Sequence, residues 1–202
     1  VIYGPSVTIV KSNFEEFVDQ VRAGTIAEET FMDVQTPESA VVSEEKNDTD
    51  MKDSVLGSHL NGQVVPLAEV KDEAFASGAL GDGVAVEPSE GKLYAPTDGV
   101  IETVFDTKHA IGLTTDAGTE LLLHIGIDTV KLGGKHFETY VSAEQHVKKG
   151  DLLVTFDIEG IKKEGYLCTT PMIVCNTDDY KEVKAVAEGK IKAGQDILSL
   201  KG

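Results

Sequence analysis

Glycine is distributed very unevenly along this chain. Of its 20 glycines, only Gly4 and Gly24 come before Gly57, and the other 18 lie between Gly57 and the end. Because glycine supplies the positive φ angles of tight turns, the second part of the chain must be rich in turns. Short β-prone runs lie between these turns, and they predict strands at Gln63–Leu67, Gly83–Glu87, Gly99–Phe105, Ala110–Thr114, Glu120–Ile125, Leu152–Phe156, Met172–Cys175 and Asp196–Leu200.

Many short strands separated by glycine-rich turns are typical of antiparallel β-proteins. We therefore predict that residues 57–202 form an all-β domain, an antiparallel β-sandwich or barrel with one or two short helical turns. The clearest helical signal is Asp157–Gly165, where Ile158 and Ile161 suit a single turn that Asp157 caps and Gly165 ends.

The segment before this domain has a different character. Residues 27–55 contain nine acidic residues and two lysines, and no aromatic residue lies between Phe31 and Phe75. Such a segment buries too little apolar surface to offset the entropy lost on ordering. The sequence therefore predicts a flexible acidic linker at residues 27–56.

The first 26 residues resemble one small piece of a domain. Val1–Tyr3 and Val7–Val10 predict two short strands around a Gly-Pro turn, and Ser12 is a candidate N-cap for a following helix. A unit of this size cannot bury a core of its own. We interpret residues 1–26 as the C-terminal remnant of an upstream domain.

Charge restricts the possible partners. The formal net charge of −17 disfavours nucleic acids and anionic membrane surfaces, which attract positive charge. No apolar run reaches the roughly 18 residues of a membrane span.

The two cysteines, Cys168 and Cys175, lack metal-binding or redox spacing. We therefore predict that they occupy ordinary core positions in a reducing cytoplasm.

Two histidines flank a predicted hairpin. If the loop around Thr115–Gly118 has two or four residues, facing positions sum to 233, and His109 faces His124. Burial on an apolar strand lowers a histidine pKa, which keeps His124 neutral and nucleophilic. A lone histidine there would fit a core position. The pair suggests either a zinc site with Asp128 or Glu120, or a phosphohistidine relay, and these residues alone do not separate the two. We predict that His59, His136 and His146 are surface residues.

The sequence from Gly57 onward resembles a known family. The matching motifs are Gly81–Pro88 (GDGVAVEP), Ala95–Gly99 (APTDG), Thr107–Gly112 (TKHAIG), His124–Val130 (HIGIDTV), Lys149–Asp151 (KGD) and Thr170–Val174 (TPMIV). In this order they resemble the glucose and β-glucoside (sucrose, trehalose) type IIA domains of the phosphoenolpyruvate-dependent sugar phosphotransferase system.

The resemblance implies a role for each site residue. The residue matching His124 receives a phosphoryl group at Nε2 from the phosphocarrier protein HPr and passes it to a cysteine of the IIB domain. The residue matching His109 supports the transfer, and the one matching Thr107 hydrogen-bonds that histidine. The positions expected to dock partners are Asp72, Phe75, Leu80, Phe105, Asp128 and Val130. No cofactor is implied, although His109 and His124 could hold an incidental zinc ion.

The resemblance also extends to the rest of the protein. Residues 1–26 resemble the last strand and helix of a IIB domain, so we expect IIB as a partner in the same permease. Membrane attachment would come only through a fused IIC domain, with the chain on the cytoplasmic side. The sugar itself is not predicted.

Overall fold

The computed structural model describes residues 51–202. The predicted IIB-like unit at residues 1–26, and most of the predicted linker, lie outside the described residues. Among the described residues, the first strand, Ser54–Gly57, begins within the segment that we predicted as linker, before the predicted start of the domain at Gly57. Leu56 is buried and Val55 is half exposed, which is the alternation of a strand covered on one face.

Within residues 51–202 the structure contains fourteen strands and two short helices. The strands are β1 (Ser54–Gly57), β2 (Gly62–Pro66), β3 (Asp82–Pro88), β4 (Lys92–Tyr94), β5 (Gly99–Val104), β6 (Ala110–Thr115), β7 (Glu120–His124), β8 (Phe137–Thr139), β9 (His146–Val147), β10 (Leu152–Phe156), β11 (Thr170–Val174), β12 (Glu182–Ala185), β13 (Lys190–Ile191) and β14 (Asp196–Lys201). The helices are α1 (Glu73–Ala76) and α2 (Ile158–Lys163), and single 3-10 turns occupy Leu67–Glu69, Thr129–Leu132 and Thr177–Asp179.

The strands form three sheets, and every pairing between them is antiparallel. The largest has eight strands in the order β13-β2-β3-β11-β7-β6-β5-β9, and two three-stranded sheets have the orders β1-β14-β12 and β4-β10-β8. No sheet closes into a barrel among these residues. The prediction of an all-β antiparallel sandwich is confirmed, and so is the helical turn at α2, where the Asp157 carboxylate caps the Gly160 amide.

The centre of the large sheet has two differently covered faces. Side chains from one face enter the main apolar core: Val84, Val86, Ile111, Leu113, Leu121, Leu123, Met172 and Val174. Alternate residues on the same strands are buried outside that core: Ala85, Ala110, Leu122 and Ile173. Because side chains alternate along a strand, His124 lies on the second face together with Leu122. Within the described residues, no helix is long and apolar enough to cross a membrane.

The prediction that His59 is a surface residue is wrong. His59 is completely buried, and one of its ring nitrogens, Nε2, donates a hydrogen bond to the Thr170 carbonyl at 2.9 Å. Burial disfavours the charged imidazolium and lowers the pKa of His59 to about 4. His136 is also largely covered, with a side chain only 16% exposed, while His146 is half exposed as predicted.

This burial makes a prediction for stability against pH. The pKa of His59 in the folded protein lies below the value near 6.5 of the unfolded chain. The contribution of the neutral, buried imidazole to the free energy of unfolding is therefore complete above pH 6.5 and is lost as pH falls towards 4. The full loss is about 3 kcal/mol. Urea unfolding at pH 6.5 and pH 4 should show that His59→Gln, which cannot titrate, loses less stability than the unsubstituted protein by roughly this amount. Equal losses in the two proteins would contradict the assignment.

Candidate functional site: a buried histidine pair

The β6–β7 hairpin has a different register from the one that we predicted. Ala110, and not His109, pairs with His124, because the hairpin turns through a three-residue loop, residues 116–118. The Thr115 amide donates to the Thr119 carbonyl at 2.8 Å, and Gly118 takes a positive φ of 89°. A left-handed residue at the end of a three-residue loop is a common hairpin closure, and it moves the ladder by one position.

The two imidazoles nevertheless touch. Their ring centroids are 4.7 Å apart, and the ring planes make an angle of 83°. His109 lies just before β6, where Lys108 has a φ of 56°, so the regular alternation of the strand does not extend to it. The Ile125 amide donates to the His109 carbonyl at 2.7 Å and fixes the position of the backbone. Both histidines are buried, with 2% and 5% of their surface exposed.

The backbone after β7 sets the tautomer of His124. Its Nδ1 lies 2.8 Å from the Gly126 carbonyl oxygen. A carbonyl oxygen only accepts hydrogen bonds, so Nδ1 must carry the proton and the neutral ring keeps its lone pair on Nε2. Gly126 has a φ of 76°, and a Cβ there would come within 2.5 Å of the Leu167 carbonyl oxygen. Glycine is therefore required for the turn that brings its carbonyl to His124.

Burial also controls the charge of His124. Desolvation lowers the pKa of its imidazole, while the Gly126 carbonyl and the charges of Asp72 and Asp128 act in the opposite direction. The net shift is downward, so the neutral ring dominates at physiological pH. A neutral imidazole with an available Nε2 lone pair is the form that acts as a nucleophile.

Thr107 holds the second histidine. Its Oγ1 lies 2.6 Å from Nδ1 of His109, and the two residues belong to the loop that joins β5 to β6. The structure therefore brings together all three residues that we predicted as catalytic.

Aromatic rings cover the pair from two sides. Phe75 lies against His124, with ring centroids 5.1 Å apart, and Phe105 meets His109 edge-on at 5.4 Å. Leu80, like both phenylalanines, is buried, and all three lie outside the main core cluster. Val130 is half-buried in the 3-10 turn after His124. Of these four predicted docking residues, Phe75 and Phe105 are thus ring contacts of the histidines in the unbound domain.

Two carboxylates flank the pair. Asp72 is the N-cap of α1, where its Oδ1 accepts from the amides of Ala74 and Phe75. Asp128 has a left-handed backbone, is exposed, and forms an ion pair with Lys131 at 2.9 Å. Sequence reasoning missed Lys131 and Gly126. A signal for Gly126 was present, because a glycine two residues after His124 can take the positive φ of a chain reversal.

The two cysteines lie outside this site. Burial raises the pKa of Cys168 to about 11 and that of Cys175 to about 12, so both are protonated, poorly nucleophilic thiols at neutral pH. We predict that Cys168→Ser combined with Cys175→Ala leaves phosphoryl acceptance unchanged, measured as mass gain from a phosphorylated donor. Loss of phosphoryl acceptance in a double variant that keeps its fold would show that one of the thiols takes part in the transfer.

A zinc site has little support from neighbouring ligands. Among residues 51–202, no group of three or more His, Cys, Asp or Glu side chains could hold a metal ion. A resident ion at the pair would depend on the two imidazoles, whereas protein zinc sites use three or four protein ligands. The geometry defines a class: a β-sandwich domain with a buried, neutral histidine in ring contact with a second buried histidine.

Comparison with known proteins assigns the domain to a family. The family described as phosphoenolpyruvate-dependent sugar phosphotransferase system, EIIA 1, matches residues 54–180. The chain therefore belongs to this family and is a IIA domain, a phosphoryl-transfer domain of a sugar phosphotransferase system.

Individual relatives agree with this assignment. A β-glucoside-specific EIIBCA component of Halalkalibacterium halodurans is 50% identical over 145 residues, which are 72% of this chain and 23% of that protein. Its counterpart in Dickeya chrysanthemi is 45% identical over 150 residues, 74% of this chain and 24% of that protein. The chain thus spans about a quarter of the length of these relatives. The solved glucose permease IIA from Mycoplasma capricolum is 39% identical, with a TM-score of 0.70 over 74% of this chain and 97% of that one.

Proposed function

We propose that this domain accepts a phosphoryl group from phosphorylated HPr on Nε2 of His124 and passes it to a cysteine of a IIB domain. One observation carries the proposal: the Gly126 carbonyl fixes the proton of His124 on Nδ1, which leaves the lone pair on Nε2. No cofactor is needed, because the phosphoryl group is carried covalently.

The transfer is a displacement at phosphorus. The Nε2 lone pair of His124 forms the new N–P bond while the N–P bond of the donor phosphohistidine breaks and its electron pair returns to the donor ring. In the second step, a IIB thiolate forms an S–P bond and the electron pair of the breaking N–P bond returns to His124. Since Nδ1 keeps its proton in both steps, the Gly126 carbonyl holds one tautomer throughout.

His109 supports this reaction without forming a bond to phosphorus. Its imidazole touches that of His124, and Thr107 fixes the ring through Nδ1. A ring N–H in this position can hydrogen-bond the phosphoryl oxygens and stabilise the charge that develops on them. The dry, apolar surroundings strengthen such a bond and keep water from the labile phosphoramidate.

Docking would use the carboxylates and the apolar groups around the pair. Asp128 is exposed at the rim, and the acidic chain suits partners with basic patches. Phe75, Leu80, Phe105 and Val130 would provide apolar contact, and Asp72 would lie beside them. In the free domain, Asp128 forms an ion pair with Lys131, so a basic partner residue would have to replace Lys131 in that pair.

The complete protein would be a permease that takes up and phosphorylates a sugar. The relatives named EIIBCA components suggest that IIB and IIC belong to the same chain, with IIC in the membrane and this domain in the cytoplasm. Those relatives are named for β-glucosides and the structural relative for glucose, so the names do not agree on one sugar. We propose that IIC selects the sugar.

One experiment tests this function directly. The purified domain is incubated with phosphoenolpyruvate, enzyme I and HPr, and its intact mass is followed. The proposal expects the gain of one phosphoryl group that is stable in alkali and lost in acid. A domain that gains no mass, or gains an acid-stable phosphate, is not a histidine phosphocarrier.

A further inference from the structure

Helix α1 is too short to be stable without help. It contains only four residues, Glu73–Ala76, and isolated helices of this length are not stable in water. The carboxylate of Asp72 accepts hydrogen bonds from the Ala74 amide at 2.9 Å and the Phe75 amide at 3.3 Å. These are the second and third amides of the helix, which an N-cap side chain ordinarily satisfies.

The third position of helix α1 is Phe75, which differs from the residue of a capping box. In the capping box this position is Glu or Gln, which reaches back to the cap. Here it is Phe75, whose amide is bound by Asp72 and whose ring lies 5.1 Å from the His124 ring at an angle of 58°. Only 4% of Phe75 is exposed. The residue whose amide Asp72 caps is therefore the same residue whose ring covers His124.

We propose that Asp72 is a positioning residue, whose two cap hydrogen bonds hold the Phe75 ring against His124 and so shield the phosphohistidine from water. The shielding of a phosphohistidine rests on the proposed function, but the placement of the ring does not. The proposal adds a role to the docking role expected for Asp72, because capping depends on the geometry of an acceptor oxygen and docking depends on charge.

Two conservative substitutions of Asp72 separate geometry from charge. Asp72→Asn removes the charge and keeps a good N-cap acceptor. Asp72→Glu keeps the charge, but its longer side chain moves the carboxylate away from the two amides. Glu73→Gln is the matched control, since it removes a charge from the exposed side of the same helix without touching the cap.

The first measurement uses the unphosphorylated domain and does not depend on phosphoryl transfer. The Phe75 ring current displaces the Cδ2 and Cε1 proton resonances of His124 in the NMR spectrum. Asp72→Asn and Glu73→Gln should keep this displacement, while Asp72→Glu should lose much of it. Phe75→Leu gives the reference for complete loss.

The second measurement is the lifetime of the phosphorylated domain after the donor proteins are removed. Asp72→Glu should shorten it as Phe75→Leu does, and Asp72→Asn should preserve it. The proposal is overturned if Asp72→Glu keeps the ring-current displacement, or if Asn and Glu lose it equally. If the displacement follows the cap but the lifetimes do not differ, Asp72 positions the ring without shielding the phosphoryl group, and that part of the proposal is wrong. Failure of every variant and of the unsubstituted domain to accept phosphate would instead refute the proposed function and leave the ring-current result standing.

Discussion

His124→Ala is expected to abolish phosphoryl acceptance and leave the fold intact. The side chain lies on the face of the large sheet opposite the main core, so its removal leaves the packing of Leu121 and Leu123 unchanged. Alanine offers no lone pair for the new N–P bond, and His109 carries its ring at a different position in the site. Intact mass after incubation with phosphoenolpyruvate, enzyme I and HPr measures the effect directly.

His146→Ala is the matched control for this substitution. His146 is half exposed and paired with Asp116, at the far end of the β6–β7 hairpin from the site. The His146→Ala variant should accept phosphate at the rate of the unsubstituted domain. An acid-labile phosphate on the His124→Ala variant would show that another side chain is the acceptor.

His109→Gln is expected to divide the two steps of the reaction. The amide of glutamine keeps a donor of similar reach, so the variant should still accept phosphate from HPr. Delivery to the IIB cysteine should be slower by about 10²-fold, because one preorganised donor to the phosphoryl oxygens has been displaced. Acceptance and onward transfer must therefore be measured separately, the second with a phosphorylated domain freed of its donor proteins.

The same variant discriminates between a phosphoryl relay and a zinc site. At a zinc site, loss of either imidazole removes a ligand, so both His109→Gln and His124→Ala should lower zinc binding. In the relay, only His124→Ala prevents acceptance. If acceptance vanishes equally in the two variants, the two rings are equivalent and the division of roles is wrong.

Local sequence pattern predicted most of the fold. All eight predicted strands are present with ends that differ by at most two residues, and Leu152–Phe156 is matched at both ends. The missed strands are short edge pieces such as Lys92–Tyr94 and His146–Val147. Strands of two to four residues carry too little periodicity to be recognised, because long-range pairing creates them.

The histidine pair was predicted for a partly wrong reason. A loop of even length would place the residues opposite each other, but Gly118 closes a three-residue loop and Ala110 takes the facing position. His109 instead lies outside the regular strand, next to Lys108 in a left-handed conformation that no local preference of lysine predicts. Pairing rules therefore predicted that the two rings lie together, but not the register in which they meet.

The cover over the pair was the least predictable part. The family resemblance gave Asp72 only a docking role, although its position before Glu73–Ala76 also fits an N-cap. A four-residue helix has no amphipathic period to reveal it, so the contact between Phe75 and His124 could not be derived from spacing. The buried state of His59 was missed for a similar reason, because its hydrogen bond to Thr170 joins segments that are far apart in the sequence.

The position of the phosphoryl group tests the central claim most directly. The domain is labelled with ¹⁵N in its histidine rings, phosphorylated through HPr, and examined by NMR for the nitrogen that is coupled to phosphorus. The account predicts phosphorus on Nε2 of His124, with the proton on Nδ1 still bound to the Gly126 carbonyl. Phosphorus on Nδ1 of His124, or on His109, would contradict it.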